Sequence, residues 1–148
     1  MSRAARAKVA VVWGAGIFQD DLATDFAAEI AQSDGFGVLR RALSHAGRAR
    51  GHLHYEFAVH ALIAAEVLAA LGGRPTAALP PDLAEWIAAQ AAQEIPEGLW
   101  SLSRSAIQRV KEDSELAELW ARSAELGRWI GKVDDLLERL DQAGTSPA

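Results

Sequence analysis

Three observations predict an all-α, single-domain bundle of about six helices. Apolar residues recur at spacings of three and four, proline and glycine cut the chain at helix-length intervals, and only Val9–Trp13 hints at a strand. The length of 148 residues suits one domain, since domains usually run to roughly 100–200 residues. Half of the residues are apolar, enough to build a core without disulfide or metal staples. The helical domain is expected over residues 11–142, between a flexible basic tail over 1–10 and a short flexible tail over 143–148.

Each element has its own signal. Asp20 or Asp21 can cap the first helix, with Leu22, Phe26 and Ile30 inward and Asp34-Gly35 ending it. The second runs from about Phe36 to Ala46 with Phe36, Leu39 and Leu43 inward, closed by Gly47. The third, Leu53 to Leu71, is apolar nearly all round, which places it at the centre of the bundle; Gly72-Gly73-Arg74-Pro75 stops it. Pro80-Pro81-Asp82 opens a fourth helix, because proline suits the first turn and an acid suits its positive end; it runs toward Gln93 and stops before Pro96. Ser101 or Ser103 begins a fifth, with Ala106, Ile107 and Val110 inward. Ser114 can cap a long last helix with Leu116, Leu119, Trp120, Leu126, Ile130, Val133, Leu137 and Leu140 as its apolar positions; Gly127 and Gly131 weaken it, which leaves open either one continuous helix or a bend or break near Ser123–Gly127.

Composition excludes several function classes. With no cysteine there is no thiol nucleophile and no thiolate metal site. No run approaches the ~20 uncharged apolar residues of a membrane span. The apolar stretch after Arg3, Arg6 and Lys8 is too short for a signal peptide, so a cytoplasmic location is expected. A net charge of −5 argues against nucleic acid and anionic lipid as partners. The charge is uneven: no acid stands between Asp34 and Glu56, where Arg40, Arg41, Arg48 and Arg50 accompany His45, His52 and His54, whereas residues 112–141 lean acidic.

Glu66 is the sharpest chemical anomaly, a carboxylate in the most apolar helix. Burying it costs several kcal/mol unless donors or a cation offset the loss of water. It therefore either reaches solvent near the helix end or has a fixed partner among the Trp13 indole, the amides of Gly14-Ala15-Gly16, Arg40 and Arg41. That glycine turn permits close backbone approach, but it completes neither a phosphate loop nor a dinucleotide fingerprint. Its plainer role is a tight entry turn plugged by Trp13 and Phe18.

Asp21, Asp25 and Glu29 recur at four and, with Asp20, form a ladder that a divalent cation would need to complete from other elements. A solvated helix face is the plainer reading. His52, Glu56 and His60 also recur at four, yet about 80° of drift separates the first from the last. Five tryptophans, at 13, 86, 100, 120 and 129, are many for this length; at apolar helix spacing they are expected in the core, and an exposed pair would mark a partner surface.

The segment Trp13-Gly14-Ala15-Gly16-Ile17-Phe18, followed by Asp20-Asp21, Ala23 and Asp25-Phe26, resembles the bacterial family known as domain of unknown function 4259. The likeness continues through Ala64-Ala65-Glu66-Val67, Asp82-Leu83-Ala84-Glu85-Trp86, Ser114-Glu115-Leu116-Ala117-Glu118-Leu119-Trp120 and Trp129. Gln19 and Arg122 stand where the family often has acids, which weakens any acidic metal site. The resemblance implies an all-helical fold and brings no assigned activity, substrate or catalytic residue. It also directs attention to Trp13, Asp21, Asp25, Glu66, Glu115 and Trp120 as one polar cluster joining the first, third and last helices.

The expected function is a non-enzymatic interaction module holding a basic protein partner, as an immunity protein holds a toxin, or a regulatory binding protein. A metal-binding protein or metal-assisted hydrolase built on Asp21, Asp25, Glu66 and His60 is the competing expectation. A small-ligand pocket lined by Trp13, Phe26 and Trp120 is the third. No cofactor is expected, and nothing in the sequence sets the oligomeric state.

Overall fold

The computed structural model describes residues 21–77 and 79–145 of the chain. Among them run seven α-helices: α1 (Asp21–Ala31), α2 (Gly37–Arg48), α3 (Tyr55–Leu71), α4 (Pro81–Gln90), α5 (Glu97–Glu112), α6 (Glu115–Ala121) and α7 (Leu126–Thr145). The all-helical class is as expected. The count exceeds six because the last predicted helix is two helices, parted at residues 122–125, which overlaps the Ser123–Gly127 stretch without coinciding with it.

Helix α3 is the axis of the bundle. Residues 61–70 are all buried, and α1, α2, α4, α5, α6 and α7 each pack against it. A helix that is apolar on every side has this place open to it, since any exposed face would leave apolar area in water. The outer helices are amphipathic. In α1 the buried positions are Ala23, Phe26, Ala27 and Ile30, and in α2 they are Leu39, Ala42, Leu43 and Ala46.

Helix ends follow local chemistry. Pro81 occupies the first turn of α4, and Pro96 precedes α5 with φ −60° and ψ 139°. That proline, with Glu97 in the first turn, starts α5 four residues before Ser101. Ser103 is not a cap; it is buried inside α5, its hydroxyl donating to the Trp100 carbonyl at 2.7 Å. Ser114 does cap α6: its Oγ accepts from the Ala117 amide at 3.0 Å and donates to the Val110 carbonyl at 2.6 Å. Leu53 lies outside α3, joined to Ser114 by an isolated parallel bridge.

Two other expectations shift in detail. Gly47 does not close α2 but sits within it, where a Cβ would approach Leu102 of α5 to 3.2 Å. Helix α7 turns Trp129, Val133, Leu136, Leu140 and Ala143 inward, leaving Ile130 and Leu137 half-buried, and it continues past residue 142 to Thr145. Residues 1–20 and 146–148, with the expected basic tail, the Val9–Trp13 stretch and the glycine turn, lie outside the described residues. No described helix is long and apolar enough to cross a membrane.

Candidate functional site

Glu66 is buried, with 2% of its surface exposed. Its partner is Arg139 of α7, which donates from Nη1 to Oε1 at 2.8 Å and from Nη2 to Oε2 at 3.1 Å. Two parallel charge-assisted bonds match the guanidinium fork to the carboxylate. Arg139 also donates to Asp135 at 2.8 Å and to the Arg74 carbonyl at 3.1 Å. Burial by itself would lower the Arg139 pKa, but the hydrogen bonds and charges of Glu66 and Asp135 outweigh it and hold the guanidinium above its ordinary value. The expected partners Arg40 and Arg41 are elsewhere, exposed on α2, with Arg41 3.4 Å from Glu29. The pair thus ties the central helix to α7 and to the turn after α3, a task that is structural in its geometry.

The other predicted cluster members occupy separate environments. Asp21 and Asp25 are exposed on α1. Glu115 accepts the Tyr55 amide at 2.7 Å and so caps α3 at the end away from Glu66, about 16 Å distant at 1.5 Å per residue. Trp120 is buried and stacks on Trp129, ring centroids 6.2 Å apart and planes 9° from parallel. Both indole nitrogens of that stack are buried without an acceptor among the described residues. Phe26 stacks instead on His60 at 4.3 Å, so it and Trp120 face different rings. Trp13 lies outside the described residues.

No group of three or more His, Asp or Glu side chains among the described residues is placed to hold a metal ion. The spacing of His52, Glu56 and His60 does not converge. His52 is held between two carboxylates, Nδ1 2.8 Å from Asp113 Oδ1 and Nε2 3.0 Å from Glu118 Oε1. Both ring nitrogens must donate to satisfy both acids, which describes an imidazolium. The hydrogen bond to Asp113 raises its pKa, desolvation opposes this, and the charges of Glu118, Asp113 and Glu115 add to the rise. His60 goes the other way: burial lowers its pKa, Glu56 and Glu29 resist, and His45 reinforces the fall.

Surface charge is the remaining candidate. Helices α1 and α4 pack side by side, bound in part by the Trp86 indole, which donates to the Ser33 carbonyl at 2.9 Å. Neither Lys nor Arg occurs in residues 21–39 or 75–103. Exposed on these stretches are Asp21, Asp25, Glu29, Asp34, Asp82, Glu85, Glu94 and Glu97, of which Glu29 has the ion pair with Arg41. Between them the surface is small-residued, with Ala28, Ala84, Ala88 and Ala89 exposed. Sequence reasoning placed the acids of α1 but not those of α4 beside them, because the adjacency of two helices 50 residues apart is set by packing.

The family model described as domain of unknown function (DUF4259) matches residues 12–132. No curated protein and no solved structure matches the chain.

Proposed function

This chain belongs to the DUF4259 family, and we propose that it is a non-enzymatic, cytoplasmic bacterial interaction module whose α1–α4 face holds a basic protein. A toxin neutralised by an immunity-like partner, or the target of a regulatory binding protein, has the required chemistry. The observation that carries this reading is the face itself: carboxylates with no intervening cation among the described residues, around a low surface of alanines. Complementary potentials speed encounter and select partners, and alanines let a partner helix or loop approach closely. The carboxylates are exposed and so cost nothing to desolvate in the free protein.

The test compares the full-length chain with Asp25→Lys/Glu85→Lys as bait in cells of the source species. A basic protein retained by the first and lost from the second, with equal melting temperatures, supports the reading. Equal recovery by both baits, or recovery of nothing by either, overturns it.

A further inference from the structure

Every side chain that α2 exposes is an arginine or an imidazole. Arg40, Arg41, His45 and Arg48 are its exposed residues besides Gly37, and Ser44 is half-buried among them. At about 100° per residue these five fall within roughly 140° of the helix circumference, away from the buried Leu39, Ala42, Leu43 and Ala46. Arg40, Ser44 and Arg48 form one row about 12 Å long, with Arg41 and His45 beside it. The turn after the helix adds the exposed Arg50 and His54. Arg41 has Glu29 at 3.4 Å, an exposed pair worth little. Arg40, Arg48 and Arg50 have no carboxylate within ion-pair distance among the described residues. The strip also has an aromatic floor: His45 stacks on the half-buried Phe57 of α3 with ring centroids 3.9 Å apart, and His54 tilts toward the same ring at 6.4 Å. Acids bound it at both ends, Asp34 ahead of α2 and Glu56 in the first turn of α3, both exposed.

We propose that the exposed face of α2 docks an acidic segment of a partner protein, its carboxylates lying over Arg40 and Arg48 and its apolar part against the His45–Phe57 stack. Carboxylates four residues apart on a helix rise by about 6 Å, the same step that separates Arg40, Ser44 and Arg48. Each guanidinium can meet a carboxylate with two parallel bonds, and Arg40 and Arg48 break no internal ion pair to do so. The ring stack supplies the aromatic anchor on which interface energetics depend. The length of the strip selects a short acidic segment over a nucleic-acid strand, because a long polyanion would run onto Asp34 at one end and Glu56 at the other. The net charge of −5 does not forbid the contact: at 0.1 M salt fields decay over about 10 Å, so the local cations outweigh distant acids. This docking goes beyond capture of a basic protein at the α1–α4 face, uses none of its carboxylates and does not depend on it.

Amide NMR titration of the full-length chain tests the proposal, with an alanine-based peptide bearing glutamate at every fourth position as the probe. In the wild type, saturable shifts should concentrate on residues 37–57. Arg40→Gln/Arg48→Gln should weaken binding about tenfold, as the loss of two exposed ion pairs of the usual size would. Arg122→Gln/Lys132→Gln makes the same change in net charge on another part of the surface and should bind as the wild type does. Equal melting temperatures of the three proteins exclude misfolding as the cause. Absence of saturable shifts, shifts centred on another helix, or equal affinity in the two variants overturns the proposal. Tighter binding of a single-stranded oligonucleotide of equal charge overturns it in favour of nucleic acid. Because Arg40→Gln/Arg48→Gln keeps the α1–α4 acids, it should still retain a basic protein, so failure here and failure of the interaction reading are told apart.

Discussion

Arg139 closes a two-bonded ion pair on Glu66 across 73 residues of sequence, joining α7 to the centre of the bundle. The two partners are unequally served. Glu66 is 3% exposed at its side chain and depends on this guanidinium, whereas Arg139 is 16% exposed and keeps Asp135 and the Arg74 carbonyl as well. Removing the arginine strands a buried charge; removing the acid leaves a cation that still has acceptors.

The consequence is an asymmetry in stability. Arg139→Met should cost near the upper end of the 3–5 kcal/mol typical of a broken buried pair, about 5 kcal/mol, and Glu66→Gln about 3 kcal/mol. The double replacement Glu66→Leu/Arg139→Met should recover most of the loss, since apolar side chains of similar volume often replace buried pairs at little cost. Urea unfolding of the three variants gives the numbers, and equal losses for the two single variants would contradict the geometry. If the pair served a ligand, the single variants would melt as the wild type does.

How far this was legible in the sequence depends on the range of each interaction. The apolar run around Glu66 announces burial, because a whole-helix pattern is local information. Its partner is not announced, since α7 carries several charged residues and only packing brings Arg139 opposite. The Ser114 cap and the stop at Gly72-Gly73 follow from chemistry within a few residues, and Gly73 takes φ 86° as a stop of this kind invites. The phase of α7 is harder. Trp129 beside Ile130, and Leu136 beside Leu137, offer two apolar registers, and contact with α3 and α5 selects the one through Trp129 and Leu136. The seven helices and the dispersal of the expected polar cluster are consequences of the same limit: adjacency between elements is written in packing rather than in spacing.

Two histidines should make stability respond to pH in opposite senses. The pKa of His52 is raised in the fold, so its contribution is fully present below the unfolded value of 6.5 and is lost as pH rises through the folded one. The pKa of His60 is lowered, so the unfolded chain binds the proton first and stability falls as pH drops from 6.5 through the folded value. Proton NMR titration should place the His52 midpoint above the ordinary histidine value and the His60 midpoint below it. His52→Asn should remove the first and flatten the alkaline limb of the melting profile. His60→Asn should remove the second and flatten the acidic limb. A His52 midpoint at or below the ordinary value would mean that its two carboxylates are not both engaged in solution.

Two glycines should respond to the same substitution with opposite signs. Gly72 follows α3 with φ −86°, a conformation open to alanine, so its demand is for space alone. A Cβ there would lie 2.5 Å from the Ala143 Cβ and 2.7 Å from the Trp100 ring, on buried side chains of α7 and α5. Neither can swing aside, and Gly72→Ala should cost about 1–3 kcal/mol as overpacking does. Gly131 lies exposed within α7, and a Cβ there meets nothing within 4 Å. Gly131→Ala should therefore stabilise the protein by about 0.5–1 kcal/mol, the helix-interior penalty of glycine. Ala143→Gly combined with Gly72→Ala should recover part of the first loss but not all, because Trp100 remains in the way. Thermal melts of these variants check the close approach of α3, α5 and α7 at this end of the bundle, and a neutral Gly72→Ala would show that the three helices stand further apart.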